Sequence, residues 1–234
     1  DDARAVKDAA EQEAMRASSK VNDDCMAEFE ALIRPGITEK EMAEAIRGIY
    51  AAHGCSGVSF PPICGFGAHA ADPHHDNDDT PLEAGQCVLI DVGGVYQDYC
   101  SDMTRTFFTG EPSEEERKVY ELVRQAQAAA EALVKPGVRL CDIDAAARDL
   151  ITEAGYGPYF NHRLGHFIGL EDHEAGDVSA VNEKVVTPGM CFSIEPGIYL
   201  PGKFGVRIED LVLVTEDGCE VLNHYPHELR VHPF

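Results

Sequence analysis

The chain repeats its own pattern of apolar and polar positions. From Glu30 to Gly54 it reads EALIRPGITEKEMAEAIRGIYAAHG, and from Glu131 to Gly155 it reads EALVKPGVRLCDIDAAARDLITEAG. At this constant offset of 101 residues the Glu, Ala, Leu, Pro and Gly positions coincide, as do Ala45 with Ala146 and Arg47 with Arg148. Each copy predicts the end of one helix, a Pro-Gly turn and a second amphipathic helix stopped at glycine. Thr38 to Glu41 forms a capping box in the first copy, and Ser113 to Glu116, after Pro112, opens a long helix in the second. The predicted helices are therefore Ala3–Leu32 with room for a break, Thr38–Ala52, Ser113–Val134 and Asp142–Glu153.

A second repeat follows at an offset of 104, where LEAGQCVLID (82–91) matches VTPGMCFSIE (186–195). These short apolar runs read as strands, and further strands are expected over Cys100–Phe108, Val206–Glu209 and Leu211–Val214. Pro201-Gly202 and Asp217-Gly218 mark turns, and GVSFPPICGFGAHAADPHHDND (57–78) reads as a long loop. Helices and strands segregate within each half, which predicts an α+β chain of one domain. The halves run from about 1 to 112 and from 113 to 234, with their sheets packed about a pseudo-twofold centre.

Composition narrows the setting. A chain of 234 residues with 44% hydrophobic content can bury one large core. It has no apolar run near the roughly 18 residues that span a membrane. The opening DDARAVKDAAEQEA lacks a signal-peptide pattern. Eight scattered cysteines with no C-x-x-C pair read as reduced, buried thiols, so a cytoplasmic location is expected. A net charge of −23 argues against nucleic acid as a partner. Most of that charge is expected on a solvated surface.

Some of it is harder to place there. Asp91 falls on Glu195 in the repeat, at the end of CVLID and CFSIE. Asp102, closing YCSD, falls on Glu209, closing VRIE, at an offset of 107. Ionised carboxylates beside apolar strands need a partner or a metal. Histidines are the natural companions, and His162, His166 and His173 lie within HRLGHFIGLEDHE (162–174). That stretch is not a zincin helix, since Arg163 rather than glutamate follows the first histidine and Gly165 and Gly169 interrupt it. The G-x-G-x-x-A match at Gly65–Ala70 carries no dinucleotide site, because Pro73 leaves no helix to receive a pyrophosphate. Asp91, Asp102, His166, Glu195 and Glu209 together could hold two divalent cations, manganese, cobalt, iron or zinc. Such a pair acidifies a bridging water and polarises a carbonyl, which is hydrolytic chemistry.

LIDVGGVYQDYCSDMTRTF, GHFIGLEDHE, SIEPGIY and GVRIED, in this order, resemble the pita-bread metallopeptidases. The resemblance spans nearly the whole chain and is to the proline-directed branch, the Xaa-Pro dipeptidases (prolidases) and Xaa-Pro aminopeptidases. It implies a creatinase/aminopeptidase fold of two helix-covered halves with a curved, mainly antiparallel sheet. It also implies hydrolysis of Xaa-Pro bonds in short proline-containing peptides by a hydroxide bridging two metals, manganese first among the candidates. Position by position, Asp91 matches a ligand of one metal, and Asp102 and Glu209 match the bridging carboxylates. His166 and Glu195 match ligands of the second metal, with Glu195 also taking the water's proton. His173 and His74 match histidines on the substrate side, and His162 one lining the product pocket. Tyr199 and Arg207 match residues beside the ligands; Arg207 orients Asp91, binds a proline carboxylate, or does both.

The same resemblance sets alternatives. Methionine aminopeptidases share the metal set but usually lack the arginine before the last bridging glutamate. A non-catalytic binding member of the fold would show lost ligands or an added basic patch. Longer relatives carry an N-terminal domain that shapes the entrance and dimer contacts, and this chain is expected to lack it, with a homodimer possible in principle. His75 is expected to be a neighbour of the site. His53, His69, His224, His227 and His232 are expected on the surface or at turns.

Overall fold

In the computed structural model, which describes residues 2–234, the repeat of sequence becomes a repeat of elements. The first half runs α1 (Asp2–Ala5), α2 (Ala9–Glu30), α3 (Glu39–Ala52), β1 (Gly57–Val58), β2 (Ile63–Phe66), β3 (Cys87–Val92), β4 (Gly94–Tyr96), β5 (Tyr99–Cys100) and β6 (Met103–Phe108). The second runs α4 (Glu114–Leu133), α5 (Leu140–Glu153), β7 (Gly165–Phe167), β8 (Glu174–Val178), β9 (Cys191–Ile194), β10 (Gly197–Leu200), β11 (Phe204–Arg207), β12 (Asp210–Val214) and β13 (Cys219–Val221). Helices α2 and α3 correspond to α4 and α5, and the antiparallel order β2-β3-β6 corresponds to β7-β9-β12.

The helix ends explain why the repeated glycines are glycine. After α3 and α5 the chain turns at Gly54 and Gly155, with φ of +88° and +92°, a left-handed conformation that any Cβ would strain. Thr38 caps α3 with the reciprocal Glu41 bonds expected from the sequence. The first predicted helix is two pieces. Asp8 and Glu11 form their own capping box, at 2.8 and 2.9 Å, so α2 starts afresh at Ala9. The interruption lets the backbone N–H of Lys7 donate to Gly189 O while its side chain reaches buried Glu174 at 3.0 Å.

Two strand predictions also change. The span Cys100–Phe108 is broken at Ser101-Asp102, and Val206–Glu209 gives way to a strand ending at Arg207. The 57–78 loop contains a strand, β2, that pairs with β3. Short hairpins, β4–β5 and β10–β11, separate the two acidic positions in each half. The first turns through Gln97-Asp98, both at positive φ, and the second through the longer 201–203 segment. The second hairpin has longer strands as well as a longer turn, which is why Asp102 and Glu209 match at a larger offset than Asp91 and Glu195.

Packing follows the two-residue period of the strands. Val88, Ile90 and Val92 of β3 pack with Phe29 and Ile46 of the first-half helices. Phe192 and Ile194 of β9 pack with Val123 and Ile143 of the second-half helices. Asp91 and Glu195 come one residue later than these apolar positions and so point away from the helices. Thr104 and Glu209 exchange backbone hydrogen bonds at 3.4 and 3.1 Å, which joins the two sheets at their centre. Among the described residues no helix is long and apolar enough to cross a membrane, and all eight cysteines are free thiols.

Candidate metal centre

Asp91 is the penultimate residue of β3 and Glu195 follows β9, while Asp102 and Glu209 each stand directly before a strand, β6 or β12. Antiparallel pairing of β3 with β6, and of β9 with β12, therefore brings the four carboxylates to the seam between the sheets. The fifth residue, His166, lies on β7 beside β9. Gly165 makes this approach possible, since a Cβ there would stand 1.8 Å from Ser193 O. Asp102, His166 and Glu209 place donor atoms within 4.8 Å of one another. Nε2 of His166 is 3.1 Å from Asp102 and 3.4 Å from Glu195.

Among the described residues, one oxygen on each of three of these carboxylates lacks a hydrogen-bond partner. Asp91 Oδ1, Asp102 Oδ1 and Glu209 Oε2 are buried without a hydrogen bond. Burial first, and then the neighbouring carboxylates, push Asp102 and Glu209 well above the usual carboxylate range. Burial alone would raise Glu195 too, but His166, His162 and Arg207 outweigh it and hold Glu195 low. Orphaned oxygens of this kind, converging with an imidazole, fit divalent cations. The remaining contacts orient the donor atoms. His166 Nδ1 lies 3.0 Å from Phe167 O, so it carries the proton and leaves Nε2 a lone pair toward the carboxylates. Thr104 donates to Glu209 at 2.6 Å, and Ser193 donates to Glu195 at 3.0 Å.

Arg207 joins this centre to Tyr199 and His162. Its Nη2 donates to Asp91 Oδ2 at 2.7 Å, and its Nη1 donates to the Tyr199 hydroxyl at 3.0 Å. His162 Nδ1 lies 2.6 Å from Arg163 O and therefore carries the proton. Its Nε2 accepts from Tyr199 at 2.7 Å. Burial pushes His162 below the ordinary imidazole range, consistent with a neutral ring. A cavity of about 360 Å³ opens over the carboxylates and is lined by His74, His162, His166, His173, Asp91, Asp102, Glu195 and Arg207. Glu209 and Tyr199 sit behind that lining, held by Thr104 and by His162 with Arg207. His173 is largely exposed, with its ring against that of His166 at 4.2 Å, and His74 is another exposed residue of the lining.

One residue absent from the sequence prediction belongs here. Asp172 Oδ1 is buried without a partner, and the side chain reaches His166 and His173 within 4.8 Å. Burial, then Asp91 and Glu195, push it up to about 8. Its signal in the sequence was an aspartate placed directly before His173. Three of the histidines predicted for the surface or turns also meet buried carboxylates. His69 contacts Glu39 at 3.1 Å, His227 contacts Asp210 at 2.6 Å and His232 contacts Glu30 at 2.7 Å.

The sequence profile of metallopeptidase family M24 matches residues 13–216, most of the chain. The chain belongs to metallopeptidase family M24. Its paired halves are the pita-bread fold of that family. A dipeptidase structure from Mycobacterium ulcerans superposes with a TM-score of 0.96 at 46% identity, over 99% of this chain and 62% of that one. An Xaa-Pro dipeptidase from Bacillus anthracis gives a TM-score of 0.96 at 38% identity, over 98% and 65%. An uncharacterized peptidase from Staphylococcus aureus is 45% identical over 222 residues. The chain spans 63% of the length of that curated relative.

Proposed function

We propose that this M24 chain hydrolyses the bond between an N-terminal residue and proline in dipeptides or short peptides, using two divalent metal ions. The observation that carries the reading is the convergence of three orphaned carboxylate oxygens, on Asp91, Asp102 and Glu209, beneath one open cavity. The likeness to an Xaa-Pro dipeptidase across nearly the whole chain supports the choice of bond.

Asp91 would hold one ion, His166 and Glu195 the other, with Asp102 and Glu209 shared. When bound, the ions supply an acidified water and polarise the scissile carbonyl. Manganese leads the candidates, ahead of cobalt, zinc and iron. The chain's own residues do the rest. Arg207 fixes the direction of Asp91, and Phe167 O fixes the tautomer of His166.

Glu195, kept low by its cationic and imidazole neighbours, accepts the proton of the attacking water. As the C–N bond breaks, that proton passes to the proline nitrogen, which has no N–H of its own. The products are the freed N-terminal residue and a chain, or a free amino acid, that begins with proline. His173, over the centre, donates to the developing oxyanion. His74, also in the cavity lining, approaches the substrate, and neutral His162 lines the product side. Phe60, Pro61, Pro62 and Ile63 give the cavity an apolar edge that suits a pyrrolidine ring.

The discriminating experiment offers metal-loaded protein three substrate sets: Xaa-Pro dipeptides, Xaa-Pro tripeptides and Met-Ala peptides. Cleavage of the proline substrates is expected. Cleavage restricted to Met-Ala peptides would move the chain to the methionine aminopeptidase branch.

A further inference from the structure

A second set of metal-type side chains lies outside the carboxylate centre. Glu39, the first residue of α3, has a fully buried carboxylate. His75 Nε2 meets its Oε1 at 2.8 Å, and His69 Nδ1 lies 3.1 Å from its Oε2. Asp78 adds a fourth donor, with Oδ2 at 4.0 Å from His69 Nε2. One donor atom from each of the four lies within 4.8 Å of the other three.

The backbone holds the buried member in place. Phe66 N–H donates to Glu39 Oε2 at 3.0 Å, and Asp78 N–H donates to Oε1 at 3.2 Å. Three separate segments thus converge: the start of α3, the 3-10 turn Gly67–Ala71, and the loop after it. That loop reads DPHHDNDD from Asp72 to Asp79, with four aspartates, two histidines and no lysine or arginine.

Two carboxylates, one of them buried, face two imidazole rings stacked at 4.2 Å, so nitrogen and oxygen donors converge on one spot. A divalent cation there would offset the negative charge of both carboxylates. Two imidazoles and two carboxylates form a donor set suited to zinc. His75 and Asp78 are partly exposed, so an ion has a path in.

We propose that Glu39, His69, His75 and Asp78 form a further, structural metal site for a zinc-type cation, separate from the two-metal centre. Its consequence for catalysis rests on the proposed peptidase reading, whereas the binding itself does not. Pro73, His74, His75, Asp76 and Asn77 all line the substrate cavity. An ion held by His75 and Asp78 would tie this segment to α3 and fix His74 on the cavity wall.

The test is metal content of the full chain, stripped with a chelator, loaded with Zn²⁺ and freed of excess. Wild type is expected to retain one zinc more per chain than the His69→Asn/His75→Asn variant. An Asp91→Asn/Glu209→Gln variant is expected to keep one zinc, which separates this site from failure of the catalytic centre. Asp78→Asn, on a half-exposed position that should not disturb folding, is expected to weaken the extra ion at least about tenfold. Cobalt loading gives an independent readout, since the tetrahedral visible band should be lost in the double histidine variant. Equal zinc content and equal cobalt spectra in wild type and that variant would overturn the proposal, leaving a hydrogen-bonded Glu39 hub without an ion.

Discussion

Arg207 and Asp91 form a buried ion pair, Nη2 to Oδ2 at 2.7 Å, between the arginine that ends β11 and the penultimate residue of β3. The guanidinium reaches Tyr199 with its other amino group, so one planar fork holds both the Asp91 carboxylate and the Tyr199–His162 pair. Lysine cannot span both partners. Arg207→Lys is therefore expected to weaken metal binding about 10- to 100-fold, read by titration of the chelated protein with Mn²⁺. Unchanged affinity would mean that Asp91 needs no orientation from Arg207.

The Tyr199 hydroxyl passes that orientation on to His162. Tyr199→Phe keeps the ring and removes only the relay. Its kcat/KM on an Xaa-Pro dipeptide is expected to fall about tenfold, roughly 1.4 kcal/mol of transition-state stabilisation. Combined with His162→Asn, the losses should be less than additive. Full additivity would show that the two residues act independently.

Asp172 adds a carboxyl group close to His166 and His173. A cation in the centre favours its charged form, and the charge in turn holds the cation. Asp172→Asn, which keeps the shape and removes the charge, is expected to lower Mn²⁺ affinity about tenfold. Isothermal titration would reveal this directly. An affinity equal to wild type would make Asp172 a bystander.

Away from the centre, Glu131 on α4 gives a prediction for pH. Burial, then Asp210, push its carboxyl up to about 9. The folded state thus holds a proton that the unfolded chain releases near its ordinary value of 4.5. This contribution to stability is complete below that value and is lost as pH rises through the folded one. Glu131→Gln mimics the protonated acid, so its melting temperature at pH 8 should exceed that of wild type by about 2–5 °C. The difference should vanish near pH 4. An equal difference at both pH values would exclude titration of Glu131 as its cause.

How far the sequence revealed this molecule depends on which interactions are local. The helix boundaries were legible from Thr38, Ser113 and the paired glycines, because caps and left-handed turns are short-range chemistry. The carboxylates were legible because a duplicated chain kept acid beside apolar strands. His166 was legible as the asymmetric member. Stepping the Phe167–Phe192 pair back one residue sets it against Ser193, and the corresponding place in the first half is Gly65, opposite Leu89.

Contacts between distant segments were not legible. Strand β2 was hidden by Pro61-Pro62 and two glycines, and forms because β3 supplies its hydrogen bonds. Glu39 reads as an ordinary first-turn acid, and only the folded loop brings His69 and His75 to it. The break before α2 was available in Asp8 and Glu11, but the reason for it, buried Glu174 pulling on Lys7, lies far along the chain.

The most direct test of the central claim is hydrolysis of an Xaa-Pro dipeptide by Mn²⁺-loaded protein before and after chelation, with Asp91→Asn alongside. Proline release that disappears on chelation, returns with added metal and falls by orders of magnitude in the variant is the expected result. Release of proline that survives chelation and the Asp91→Asn substitution would contradict the account.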